Sequence, residues 1–215
     1  MPTESEAHYT DLSKIGEFGD LTITWCRAAS ADSVIGALGV AVFGVSSNDL
    51  SGLIIESIKD LMDDRLPRFI LLVEESPWFL LVEYSRSRTL EALELLSGDE
   101  AICMTANEFL ARGDLHYARG GMHLCTFVYE GDVRGDTAAI EDHLDGLFNL
   151  HERYADMDKG LVPGEQLLDG WRVHALILME RITGIRLSVE LFNRKSALYR
   201  FREWDDPPQG ADIGN

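Results

Sequence analysis

The chain has 215 residues, 46% hydrophobic and 26% charged, and its 37 acids against 19 lysines and arginines give a net charge of −18. A chain of this length suits one large domain and buries roughly 70% of the surface its unfolded form exposes, so it needs no metal or disulfide staple. The negative field repels nucleic acid and anionic membrane and attracts basic partners, while three separated cysteines, Cys26, Cys103 and Cys125, fit a reducing cytoplasm better than a disulfide framework.

Residues 1–19 are polar and aperiodic, with neither a basic n-region nor an apolar h-region, and predict a flexible leader with no signal peptide. Leu21-Thr-Ile-Thr-Trp25 alternates apolar and polar residues as a half-buried strand does. Ser30 is placed to cap a short helix whose apolar face is Val34, Ile35 and Leu38, with Gly39 as its C-terminal cap. A second helix follows over about 49–63, with Leu50, Leu53, Ile54, Ile58 and Leu61 on one side. Phe69–Val73 and Trp78–Val82 are strand-length apolar runs around Glu-Glu-Ser-Pro, which reads as a hairpin, and neither run is long enough to span a bilayer. A helix over 89–96 and a strand containing Ile102, Met104 and Ala106 come next. Leu115–Arg119 and Met122–Glu130 flank Gly120-Gly121, a pair suited to the positive φ angles of a tight two-residue turn.

After Gly135 the apolar period changes from 2 to 3.6. Ile140, Leu144, Leu147, Phe148, His151, Tyr154 and Ala155 share one helical face, and Gly146 sits within the pattern where it can break it. A last long helix is predicted over 165–183, with Trp171, Ala175, Leu178 and Met179 in its stripe, and Ser188 is placed to cap a final short one. The tail 205–215 reads as disordered. The pattern predicts a single α+β domain over 20–204: a meandering, mostly antiparallel sheet of about five or six strands with helices packed on it, helical from about residue 136 onward.

Several of these segments carry a family resemblance. Leu21–Trp25 with Ala28–Gly39, Trp78–Glu83, Thr89–Ser97, His116–Met122 and Glu180–Leu187 resemble an uncharacterised actinobacterial domain family with no assigned activity. Gly120-Gly121 departs from the Asp-Gly usual at that turn, and the stretch 130–136 lacks a Trp-Gly-type signature. The resemblance implies an α+β fold and supplies no catalytic residues.

The motifs that would announce chemistry are missing. There is no Gly-x-Ser-x-Gly elbow and no phosphate-binding Gly-x-x-x-x-Gly-Lys loop. His123 and Cys125 share parity on one predicted strand, and with Cys103 on a neighbour they could supply three zinc ligands; the competing reading is buried cysteine acting as a small hydrophobe. His174 falls within an apolar stripe and reads as an interior hydrogen-bonding histidine. Arg194, Lys195, Arg200 and Arg202 form the one basic cluster, read either as a dock for an acidic surface or as a solvated helix end.

One constellation carries a functional reading. Asp142, Asp145, Asn149, Glu152 and Asp156 are spaced to form a single stripe if their helix is continuous. Such a stripe steers and docks a basic protein, or else is the solvated face of an amphipathic helix. These features favour a non-catalytic, acidic, cytoplasmic binding protein of immunity or inhibitor type, with no cofactor. Its partner would be a basic protein. The alternatives are a structural or assembly subunit, including a homodimer, and an enzyme whose site is assembled only in three dimensions.

Overall fold

The computed structural model describes residues 3–13, 20–39, 41–63, 65–85, 87–107, 112–129, 132–148 and 164–201. In chain order the elements are α1 (Glu4–Ser13), β1 (Leu21–Arg27), α2 (Ala31–Ala37), β2 (Val42–Asn48), α3 (Leu50–Met62), β3 (Phe69–Glu75) and β4 (Trp78–Tyr84). They continue with α4 (Arg88–Glu91), α5 (Leu93–Leu96), β5 (Glu100–Asn107), β6 (Arg112–Arg119), β7 (Met122–Val128), β8 (Val133–Gly135) and a 3-10 helix (Ala138–His143). The last described elements are α6 (Gly164–Thr183), α7 (Val189–Asn193) and β9 (Ser196–Phe201).

The fold is α+β, as expected, but its sheet has nine strands among the described residues, not five or six, in the order β2-β9-β3-β4-β1-β5-β6-β7-β8. All neighbouring strands are antiparallel. The six expected strands form, and β2, β8 and β9 are added. Strand β9 escaped notice because its charges resemble a solvated helix end. Its Leu198 and Phe201 are buried, and the Arg200 guanidinium lies 5.5 Å from the Phe43 ring centroid and 5.6 Å from that of Phe69. Rings on both sides of the cation let it occupy a sheet without a carboxylate partner. Strand β2 is an exposed edge with no buried alternation to betray it, and β8 has only three residues.

Side-chain alternation divides the core into two layers. Leu21, Ile23, Trp25, Leu80, Val82, Ile102, Met104, Leu115 and Tyr117 line the first face. This face packs against α1, α3, α6, α7 and the 3-10 helix. Trp171, Ala175, Leu178 and Met179 of α6 are buried in it, and Gly113 of β6 leaves the room Trp171 occupies: a Cβ there would meet its ring at 2.6 Å. The second face carries Cys26, Phe79, Leu81, Ala101, Cys103 and Phe201 beneath Val34 and Leu38 of α2 and Leu93 and Leu96 of α5.

Local chemistry sets the element ends. Ser30 and Ser33 form a reciprocal capping box at α2, Asp49 caps α3 through Gly52 N–H, and Ser188 accepts from Leu191 N–H to start α7. Gly120 and Gly121 adopt φ of 61° and 77°, the two successive positive values a type I′ hairpin requires.

Four expectations are corrected. The leader contains α1, whose Tyr9 and Leu12, spaced i, i+3, are buried against α6. Tyr9 Oη accepts from Leu187 N–H at 3.2 Å, and His8 Nε2 donates to the Leu187 carbonyl at 2.7 Å. The helix over 89–96 breaks at Ala92 into α4 and α5. In α3 only the N-terminal half of the stripe is covered, while Ile58 and Leu61 are exposed. Finally, the helix predicted from about residue 136 is a 3-10 helix (Ala138–His143), followed by a turn with φ of 75° at Gly146 and 58° at Phe148. Arg181 of α6 closes that turn by donating to the carbonyls of His143 and Asp145, at 2.8 and 2.7 Å. Residues 149–163 and the tail 205–215 lie outside the described residues.

Candidate functional site

Because the helix ends at His143, Asp142 and Asp145 do not share an α-helical face. Asn149, Glu152 and Asp156 lie outside the described residues. The acidic surface takes another form. Among the described residues, strand β8 is the last strand of the sheet, paired only with β7 through Phe127–Val133, Thr126–Arg134 and Cys125–Gly135. Asp132 and Asp136 bracket it, and Glu141, Asp142 and Asp145 follow on the 3-10 helix and its turn; all five are exposed. Asp136 Oδ1 accepts from Ala138 N–H at 2.9 Å, which joins the strand to the 3-10 helix. The opposing charges are Arg134 within the strand and Arg181 of α6, whose guanidinium donates to the carbonyls of His143 and Asp145. Asp132 and Asp136 thus flank the sheet edge, while Glu141, Asp142 and Asp145 follow them in the chain on a 3-10 helix and turn that pack on α6, rather than on a helix stripe.

A second polar region crosses the sheet's second face. In register, Glu83 (β4), Thr22 (β1), Thr105 (β5) and Asp114 (β6) form one row, and Thr24, Cys103, His116 and Thr126 form part of the next. Glu83 is buried. Its Oε1 accepts from Arg88 N–H at 3.0 Å, and its Oε2 accepts from Thr89 N–H at 2.8 Å and Thr89 Oγ1 at 2.6 Å. Thr24 Oγ1 donates to Thr89 Oγ1 at 2.8 Å. Burial pushes the Glu83 carboxyl above its ordinary pKa, against the opposing pull of Thr89 and Arg88. The Arg88 guanidinium is also buried and stacks 5.7 Å from the Phe201 ring centroid. This cluster satisfies the two leading N–H groups of α4, which has no side-chain cap from Ser87, and so pins α4 and α5 to the sheet.

Beside this row lies an open cavity of about 190 Å³ lined by Asp20, Thr22, Ser87, Thr105, Asn107 and Arg112 among others. Ser85, at its rim, has φ of 56°. Hydroxyls, carboxylates and one guanidinium suit hydrogen bonding to a small polar molecule. The hydroxyl–carboxylate chain Thr24–Thr89–Glu83 is buried beneath α4, so its oxygens are not presented to a substrate.

The predicted zinc triad does not assemble. A bulge between Tyr117 and Ala118 makes Leu124 the extra residue of β7, so Cys125 faces the first core with Phe127 while His123 faces the second side. The partner of His123 is His116, its ring centroid 5.4 Å away, and both rings bond Thr126 Oγ1, at 3.2 and 3.1 Å. Among the described residues no three His, Cys, Asp or Glu side chains are grouped to hold a metal. Burial pushes the Cys26 and Cys103 thiols up to about 12 and Cys125 up to about 11, which keeps them protonated near neutral pH. His174 Nδ1 accepts from Phe148 N–H at 2.9 Å, an interior role.

The basic cluster is dispersed as well. Arg194 pairs with Glu75, Lys195 with Asp49 at 2.6 Å, and Arg200 is stacked between rings; Arg202 lies outside the described residues. Sequence reasoning missed Glu83, Thr89 and His116. A period-2 reading of Trp78–Tyr84 held the signal for the first, since Glu83 shares parity with Phe79 and Leu81 and therefore points into the core.

No helix of the described residues is long and apolar enough to cross a membrane. No protein-family model, curated protein or solved structure matches the chain. The roles of these residues therefore rest on their own geometry.

Proposed function

We propose that this protein is a non-catalytic binding protein that neutralises or escorts a basic protein, in the manner of an immunity protein or inhibitor. The carrying observation is the run of five exposed acids, Asp132, Asp136, Glu141, Asp142 and Asp145, through the edge strand β8 and the 3-10 helix and turn that follow it. An edge strand offers unpaired backbone groups to an incoming strand, and flanking carboxylates favour one rich in lysine and arginine. The net charge of −18 steers such a partner from a distance. The burial of the Thr24–Thr89–Glu83 chain and of the three thiols weighs toward binding over catalysis.

The test is affinity capture of the tagged protein from its native host, at low and high salt, beside a triple variant Asp136→Lys, Asp142→Lys, Asp145→Lys. The expected result is a stoichiometric basic protein retained at low salt, released at high salt and not retained by the variant. Exposed charge is screened over about 10 Å at 0.1 M salt. A stoichiometric partner held equally by both proteins at both salt concentrations would refute the reading.

A further inference from the structure

The two edges of the sheet differ in how they meet solvent. At one end β8 has three residues, with Arg134 at its centre and Asp132 and Asp136 as neighbours. Short length and charge are the ordinary devices that keep an edge from pairing non-specifically. At the other end β2, Val-Phe-Gly-Val-Ser-Ser-Asn, has seven residues with neither charge nor proline, and pairs only with β9. Its bulge lies at the start, between Val42 and Gly44, which leaves Gly44–Asn48 in regular register with an outer edge that no described strand occupies.

Apolar exposure is concentrated in the same part of the chain. Of the twelve large apolar side chains exposed among the described residues, eight fall between Val42 and Leu66, including Phe43 at 64%, Val45 at 58% and Met62 at 81%. Ile55, Ile58 and Met62 occupy the open side of α3, which leaves the end of β2 at Asp49. Single exposed apolar residues need no explanation, but a concentration on one strand and the helix after it marks an interface.

The charge of this segment singles out the occupant. Each described acid in it has a basic partner: Asp49 with Lys195, Glu56 with Lys59, Asp60 with Arg65 and Arg68, and Asp63 with Arg65. With Asp64 counted, five acids of the segment stand against Lys59, Arg65, Arg68 and Lys195, so the surface is nearly neutral in a molecule of net charge −18. A basic partner gains nothing here, whereas two copies of the chain, which repel elsewhere, meet here without a charge cost. Two identical antiparallel strands related by a twofold axis are self-complementary, the geometry of an isologous dimer. A standard interface draws about 800 Å² from each partner, to which the exposed side chains of β2 and α3 contribute.

We propose that a second copy of this chain adds to the sheet through β2, strand against strand across a twofold axis near Ser46, with the exposed face of α3 completing the contact. This surface is separate from the acidic β8 edge, so the two readings fail independently.

The test is the solution mass of the full chain by light scattering, with two variants. Val45→Lys puts a charge on an already exposed edge position. Ser46→Cys places thiols beside the axis, while the native Cys26, Cys103 and Cys125 are buried. The wild type should show twice the 24.0 kDa chain mass. Val45→Lys should be monomeric and folded by circular dichroism, with a melt that no longer rises with protein concentration as the wild type's does. Ser46→Cys should form a covalent dimer on mild oxidation, and the acidic triple variant should remain dimeric. A wild-type chain still monomeric at about 100 µM, beyond the micromolar affinities typical of interfaces this size, overturns the proposal. So does a monomer that takes up a foreign neutral strand instead, or a dimer that Val45→Lys leaves intact and Ser46→Cys fails to trap.

Discussion

Replacing Glu83 with alanine should cost about 3–5 kcal/mol. The carboxylate accepts three hydrogen bonds inside the core, from Arg88 N–H, Thr89 N–H and Thr89 Oγ1, all between 2.6 and 3.0 Å. A buried hydrogen bond contributes about 0.5–1.5 kcal/mol net, and these three share the cost of burying one carboxyl group, so the total falls short of their sum. Truncation also leaves the buried N–H groups of Arg88 and Thr89 without their acceptor, and each such loss costs about 1–3 kcal/mol. Urea unfolding followed by tryptophan fluorescence reads this directly, because Trp25, Trp78 and Trp171 are all buried. A loss below about 1 kcal/mol, the scale of one ordinary hydrogen bond, would refute the claim that Glu83 pins α4 and α5 to the sheet.

The same residue gives a pH signature. Burial raises the folded-state pKa of Glu83 above its ordinary 4.5, so its contribution to stability is full below pH 4.5 and is lost as pH rises through the folded value. Glu83→Gln should lack this slope, and a wild-type minus variant difference that stays constant or grows as pH rises contradicts it. His116 acts in the opposite direction: burial and His123 lower it from 6.5 to about 4, so stability falls as pH drops through that window. His116→Gln should recover up to about 3 kcal/mol of the acid loss, and a pH profile identical to wild type would show the reasoning wrong. Leu12→Ala should cost about 2–4 kcal/mol if α1 is part of the core, and a neutral effect in the same urea assay would return residues 4–13 to the status of a leader. Gly113→Ala should destabilise because its Cβ would stand 2.6 Å from the Trp171 ring; Gly113→Ala paired with Trp171→Phe should lose less than the two single variants summed.

What was legible in the sequence follows from how elements announce themselves. Strands β1, β3, β4, β5, β6 and β7 alternate or run apolar because they are central and covered, and Gly120-Gly121 encodes its turn by conformation alone. Strand β2 gave no signal because it is exposed along nearly its whole length, and β9 gave a misleading one because Arg200 is accommodated by two rings instead of water. Ile140 and Leu147 of the apolar pattern after Gly135 are buried, but the continuous helix that the pattern predicts gives way to a 3-10 helix and a turn at Gly146, the glycine placed to break it. The candidate site was half legible: the charge of Asp142 and Asp145 is plain in the sequence, but the edge strand that Asp132 and Asp136 flank is β8, too short to read. The zinc triad failed on one inserted residue, because a bulge reverses the parity on which His123 and Cys125 had been grouped.

Hydrogen–deuterium exchange with and without a captured basic partner tests the central claim most directly. The account predicts slowed exchange in β8 and the 3-10 helix, residues 133–143, with β2 unchanged. Partner-induced protection confined to β2, or to the polar cavity beside Thr22 and Thr105, with β8 exchanging as fast as in the free protein, would contradict it.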